Sequence, residues 1–277
     1  MSVFDRRPVP ARRSTPPPNP NELPASANPL AHLGMLLTEA MYPQSRDHAL
    51  DVACSVGHVA FTLSMFIKSG RVVGVDSSPA LLAEARRRKE AGGFSGVELY
   101  AMPSERLGFS TASFNLATCN MAIGDTAQPE AVLAEMGRVL RPGGWIGVTL
   151  AHPGAAVLDA LPAAGDEPNA STAVGPAAAP LPTLRSLWDE RAVAEKLMEA
   201  GFTATHVQVV RRVLLFRTVE EWWRAGAPTP NRPLPQLAPG AAPDPLPAEL
   251  ARRMREQLLG APLRVPVAVT LGIARKR

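Results

Sequence analysis

From residue 49 to residue 151, short apolar runs alternate with longer amphipathic stretches. Residues 49–54, 71–76, 97–101, 114–119 and 145–151 are rich in Val, Leu, Ala and Ile and end at turn residues, which predicts strands. Between them, apolar positions at helical spacing predict helices over 57–69, 81–89 and 130–140. Pro79 opens the second helix, where its missing N–H is tolerated. The run Arg141-Pro142-Gly143-Gly144 closes the third as a turn. Further along, the pattern predicts a helix near 188–200, a strand near 206–216, two short helices and a last strand near 265–273. Repeated strand–helix–strand units predict an α/β fold. Its sheet is doubly wound, of about seven strands, mostly parallel and covered by helices on both faces.

Proline divides this pattern. Of 29 prolines, eight fall in residues 1–29, six in 153–182 and eight in 228–247. Proline removes a backbone donor and fixes φ, so these stretches are neither core helix nor central strand. Residues 1–28 read as a disordered Pro/Arg-rich tail. Residues 29–277 read as one domain: a cofactor-binding half at 29–152, a Pro/Ala-rich loop at 153–184, and a C-terminal half at 185–277 carrying substrate loops.

Charge and composition narrow the function classes. The formal net charge is +4, without a basic run interleaved with aromatics, so a nucleic-acid surface is not expected. No apolar run is long enough to span a bilayer. Cys54 and Cys119 are too few for a zinc ribbon or a disulfide framework, and no metal site is expected. A reducing, cytoplasmic setting follows, although the arginine-rich, acid-poor tail also fits a transit peptide.

Two motifs carry chemistry. The first, Asp51-Val-Ala-Cys-Ser-Val-Gly57, is a turn of small residues between a strand and a helix. In doubly wound sheets, ligands bind at the carboxyl ends of the strands, where small residues and a helix N-terminus expose backbone. The second, Val72-Val-Gly-Val-Asp76, is a strand ending in a carboxylate that can accept two hydrogen bonds from a ribose diol. The lesser alternative is that Asp76 caps the helix that follows Pro79.

The run HALDVACSVGHVAFTLS, RVVGVDSSPALLAEARRR, SERLGFSTASFNLATCNMAIG and AVLAEMGRVLRPGGWIGVTL resembles the class I S-adenosylmethionine-dependent methyltransferases, with the ubiquinone/menaquinone-biosynthesis subgroup nearest. The later stretches LWDERAVAEKLMEAGF and VPVAVTLGIARKR fit the same layout. The resemblance implies a Rossmann-like sheet with an antiparallel last strand. It also implies methyl transfer from S-adenosyl-L-methionine to the O, N or C atom of a small molecule. By resemblance, Asp51, Ala53, Cys54, Ser55 and Gly57 hold the methionine part of the cofactor and Asp76 the ribose. Ser77 lies beside the adenine, Ser104, with Pro103 and Glu105, sits in the adenine-recognising segment, and Asn120 and Met121 face the sulfonium and the acceptor.

The chain departs from the family pattern. Two loop glycines are replaced by Ala53 and Ser55, whose backbone is expected to keep negative φ by adjusting the local path. Pro103 and Asn115 stand where acids are usual. These changes support a second reading, a methyltransferase-like non-enzyme that acts through a partner. A nicotinamide dehydrogenase is excluded by the Arg-Pro-Gly-Gly turn and the C-terminal layout.

Other residues carry plainer expectations. His152 directly follows the fifth strand and is the candidate base for deprotonating an acceptor, or else a solvated loop residue. Cys54 and Cys119 are expected in the core, His48 and His58 in structural roles, and His206 on the surface. Trp222 and Trp223 either pack a helix or line a substrate pocket.

Overall fold

The computed structural model describes residues 22–24, 29–151, 190–224, 246 and 248–277. Eight strands occur among them: β1 (Glu22–Pro24), β2 (His48–Val52), β3 (Arg71–Asp76), β4 (Val97–Ala101), β5 (Phe114–Asn120), β6 (Leu140–Ala151), β7 (Phe202–Phe216) and β8 (Leu263–Lys276). The helices are α1 (Pro29–Ala40), α2 (His58–Phe66), α3 (Pro79–Gly92), α4 (Pro129–Val139), α5 (Glu190–Glu199), α6 (Val219–Arg224) and α7 (Ala248–Leu258). The strands form one sheet in the order β1-β7-β8-β6-β5-β2-β3-β4. All run parallel except β8, which lies antiparallel between β6 and β7, as expected for the last strand.

Alternate residues of the central strands feed two separate apolar layers. Ala49, Val72, Leu116 and Leu271 join Leu37, Met41, Val59 and Leu63 of the α1 and α2 side. Their neighbours Leu50, Val73 and Ala117 join Val132, Met136, Val193 and Leu197 of the α4 and α5 side. With both faces covered, the strands must be apolar throughout, which is why they read as runs and not as alternations. Strand order reverses at β2, flanked by β3 on one side and β5 on the other. The carboxyl ends of β2 and β5 therefore open a crevice at the switch point.

Three features differ from the sequence reading. Glu22–Pro24, inside the stretch expected to be a disordered tail, pairs with Val213–Leu215 of β7 as an eighth strand. Its Pro24 is tolerable because β1 is an edge strand. Helix α1 has no counterpart in the predicted elements. Residues 141–144 are not a turn closing α4 but a bulge within β6: Leu140 pairs with Phe114, and Trp145 with Leu116. A side chain at Gly144 would meet the carbonyl oxygen of Asn115 at 2.9 Å, so the bulge requires glycine there. Among the described residues, no helix is long and apolar enough to cross a membrane.

Candidate functional site

The loop after β2 is bound along its length to β3. Cys54 donates its N–H to the Val75 carbonyl at 2.8 Å, and Ser55 donates its N–H to Asp76 Oδ2 at 2.8 Å. Gly57 donates back to the Cys54 carbonyl at 2.8 Å, and α2 begins at the next residue. This tethering overturns the expected backbone. Ala53 and Ser55 have φ of +53° and +52°, and Gly57 has +90°. The path cannot relax to negative φ without losing the bonds to β3. The two non-glycine residues hold a left-handed conformation costing about 1–2 kcal/mol each.

Asp76 is the hub of this arrangement. Its second oxygen accepts the Ser78 N–H at 2.9 Å, while Ser78 Oγ accepts from Leu81 N–H and caps α3. The helix cap is thus Ser78. Each Asp76 oxygen accepts one bond, and a carboxylate offers about four lone-pair sites. Two remain for a diol.

Asp51 lies beneath the loop rather than on it, 1% exposed. It accepts Thr118 Oγ1–H at 3.0 Å and the Ala60 N–H at 3.1 Å, joining β2 to β5 and to the first turn of α2. Burial pushes its carboxyl up to about 7, against the lowering effect of those two bonds. Cys54 is buried beside it, its thiol pushed up by burial and by the Asp51 and Asp76 charges. Gly74 makes room for Cys54, since a Cβ at Gly74 would come within 2.9 Å of the thiol. Cys119 is buried as well, in keeping with the core reading of both cysteines.

Across the crevice, β5 ends at Asn120 and the chain turns sharply, with Met121 at φ +60°. Thr149 of β6 secures this turn. Its hydroxyl accepts the Met121 N–H at 3.0 Å and donates to Asn120 Oδ1 at 2.6 Å. The Asn120 amide oxygen is thereby engaged with Thr149. Helix α1 covers this corner: a Cβ built on Gly34 would lie 2.8 Å from the Val59 side chain and 3.7 Å from Asn120 Nδ2.

The structure thus brings Ala53, Cys54, Ser55 and Gly57 together with Asp76, and places Asp51 under them. Ser77 is exposed, and Ser104 is half-buried in the segment that leaves β4 beside Asp76, where Met102 N–H bonds the Asp76 carbonyl at 3.1 Å. Glu105 accepts from Thr126 Oγ1 at 2.6 Å, so this carboxylate is engaged with a neighbouring loop. Asn115 belongs to the other end of the sheet. Its Oδ1 accepts the His48 N–H at 3.0 Å, so its departure from the family acid does not touch the crevice. His58 packs 3.4 Å from Arg88, and burial with that charge pushes it down to about 4. His206 is exposed and Trp222 is buried in α6. His152 lies outside the described residues, as does the Trp223 side chain. Among the described residues, no cluster of His, Cys, Asp and Glu could hold a metal ion.

Sequence reasoning missed Thr118, Thr149 and Gly34. The two threonines carried a signal: they are polar residues in otherwise apolar buried strands, where a hydroxyl needs a partner.

Comparison with known proteins agrees with this geometry. The family described as "Methyltransferase domain" matches residues 49–144. Demethylmenaquinone methyltransferase of Oceanobacillus iheyensis is 31% identical over 105 residues, 38% of this chain and 44% of that protein. Aklanonic acid methyltransferase of a Streptomyces species is 28% identical over 118 residues, 42% of this chain and 54% of that protein. The chain therefore matches about half or less of the length of these curated relatives. The [4+2]-cyclase SpnF shares the fold at a TM-score of 0.55 and 19% identity, covering 89% of this chain and 80% of that one. A Haemonchus contortus phosphoethanolamine N-methyltransferase, solved with S-adenosylhomocysteine, shares it at 0.52 and 15%, covering 88% and 52%. At those identities the likeness shows the fold alone, and the family match locates the resemblance in the half that builds the crevice. The chain is thus similar to methyltransferase domains over residues 49–144, the stretch that holds the left-handed loop and the strand-end carboxylate.

Proposed function

We propose that the chain binds S-adenosyl-L-methionine at the carboxyl edge of β2, β3 and β5 and methylates a small molecule. The observation that carries the reading is the loop after β2. Despite losing two glycines, it keeps left-handed backbone at Ala53, Ser55 and Gly57 and is tied to Asp76. The bonds to β3 hold this path although each left-handed non-glycine residue costs about 1–2 kcal/mol, so the loop keeps a glycine-like backbone. The retained shape favours the enzyme over the non-enzyme reading.

When bound, the cofactor supplies a methyl group on a sulfonium that is already a good leaving group. This chain's residues would then bind and orient. Asp76 would take the ribose hydroxyls with its two remaining acceptor sites. Loop residues 53–57 would present backbone to the amino-acid part, and Ser77 and Ser104 would flank the base. Asn120, fixed by Thr149, would offer N–H donors to an oxygen of the acceptor. Catalysis of this kind rests on proximity and exclusion of water, so no charged triad is required. His152 would take part only if the acceptor must lose a proton. The named relatives act on demethylmenaquinone and aklanonic acid, which makes an oxygen-bearing acceptor the first class to try.

Calorimetry with S-adenosylmethionine and S-adenosylhomocysteine tests the reading. Saturable binding of both, weakened in Asp76→Ala, is expected. No binding at millimolar cofactor would hand the crevice to the non-enzyme reading.

A further inference from the structure

A groove lies at the amino end of the sheet, opposite the carboxyl edge of β2, β3 and β5. It has a volume of ≈ 610 Å³, within the range usual for small-molecule sites. It lies between the loop that joins α1 to β2 and the glycine bulge of β6, over a floor that includes Leu116 and Ile273. Two aromatic side chains line it, Tyr42 at 80% and Trp145 at 37% exposure, so large ring surfaces stay in water. Tyr42 is held at φ +47°, a left-handed conformation uncommon for a bulky residue. It lies just past α1 and donates its N–H to the Glu39 carbonyl at 3.2 Å, as a residue that ends a helix does.

Charge gives the groove a sign. Arg275 sits over the Trp145 ring at 5.8 Å, and its Nε donates to the Gly143 carbonyl at 3.0 Å. Arg141 makes one hydrogen bond, at 3.3 Å, to the Ala112 carbonyl. Neither guanidinium has a carboxylate partner among the described residues, whereas Arg71, Arg88, Arg138 and Arg252 all do. The groove's acid, Asp47, accepts the Gln44 backbone N–H at 2.7 Å. Residues 1–20 hold four arginines, the same sign as the groove, and so do not suit it as an occupant.

From rings and cations at one place, we propose that this groove is a second ligand site, for a planar aromatic carboxylate. The aromatic ring lies against Tyr42 and Trp145, and the carboxylate meets Arg275 and Arg141. Guanidinium groups recognise carboxylates through paired N–H donors, and a fixed cation is the better half of such a pair. The site stands apart from the proposed methyl-transfer crevice and does not rest on it.

Titration of the full chain with 2-naphthoate tests the proposal, with 2-naphthamide as the uncharged probe of the same shape. We expect saturable binding of 2-naphthoate, at least about tenfold tighter than the amide. Arg275→Gln should weaken it by about tenfold and Arg141→Gln by less, both with unchanged melting temperature. Millimolar S-adenosylhomocysteine should leave it unaffected. Trp145→Leu should weaken both probes together; should that variant fail to fold, the arginine variants carry the location. Absence of saturation at millimolar 2-naphthoate, equal binding of the amide, or insensitivity to both arginine changes overturns the proposal.

Discussion

At the carboxyl end of the sheet Asp51, Asp76 and Thr149 are buried and take up backbone N–H groups. At the amino end Tyr42, Arg141 and Arg275 are exposed and flank a groove. Asp51, Asp76 and Thr149 accept N–H groups of Ala60, Ser55, Ser78 and Met121, and so set the path of the chain. Around the groove, Tyr42, Arg141 and Arg275 present rings and cations to solvent, on a bulge shaped by glycine. One end fixes the path of its own backbone, at a cost in strain and desolvation. The other spends little and offers side chains. Variants at the first end should therefore change stability and cofactor binding together, while those at the second should change neither.

The largest effect expected is the cost of the Asp51 charge. Its folded value, about 7, stands above the 3.8 of the unfolded chain. Between those values the folded chain holds a proton that the unfolded chain releases. Stability is therefore highest at the acid end of the window, falls as pH rises through it, and is fully reduced above about 7, by on the order of 4 kcal/mol. Asp51→Asn removes the ionisation and should flatten the profile, since Thr118 can turn its hydroxyl to the Leu50 carbonyl at 3.4 Å. Urea unfolding across the window checks this. Parallel profiles for parent and variant would show that Asp51 does not control the pH dependence.

Next is Asp76→Ala. Removing its bonds to a diol should weaken S-adenosylhomocysteine binding by about 2–4 kcal/mol, or roughly 30- to 1,000-fold. Because Asp76 also holds the Ser55 N–H, the variant should lower the melting temperature as well. Asp76→Ala that binds as the parent does would remove the ribose assignment.

The carboxyl-end half of this contrast was partly legible in the sequence, while the amino-end groove was hidden for physical reasons. The strands of the parallel sheet are apolar on both faces, so their runs stood out, and so did Asp76 as a carboxylate at a strand end. The left-handed φ of Ala53 and Ser55 was not legible, because conformation there is dictated by β3, whose bonds to Cys54 and Ser55 are tertiary. Residues 141–144 read as a turn because Pro-Gly-Gly breaks helices. Only pairing with β5 on both sides of the run reveals a bulge. Strand β1 was lost inside a proline-rich stretch since an edge strand of three residues has no pattern of its own.

Thr149→Val should have a smaller effect. It keeps the shape but strips the hydroxyl from Met121 N–H and Asn120 Oδ1, an expected loss of about 1–2 kcal/mol in stability. Without the Thr149 hydroxyl, the Asn120 carbonyl loses the donor that Thr149 supplies. The ratio of S-adenosylmethionine to S-adenosylhomocysteine affinity should then shift toward the cationic ligand, and Thr149→Ser should restore the parent ratio. If the ratio stays put while stability falls, Thr149 is a packing residue and Asn120 does not face the sulfonium.

The smallest effect is expected where the sequence departs most visibly from the family, at Ala53 and Ser55. Both occupy left-handed backbone, so Ala53→Gly with Ser55→Gly relieves about 1–2 kcal/mol of strain per site in the folded chain. Glycine also gives the unfolded chain more freedom, which offsets about 0.4–1 kcal/mol per site. The balance is slightly favourable, so the double variant should melt at the parent temperature or a few degrees above it. Cofactor affinity should change no more than a few-fold, because the parent loop already has the glycine-like shape. The opposite result has a distinct meaning. If the parent shows no binding and the glycine pair binds at micromolar cofactor, then the Ala53 Cβ and the Ser55 side chain fill the space the cofactor needs. The loop would then have kept the family's backbone while closing its site, and the enzyme reading would fall even though the fold stood.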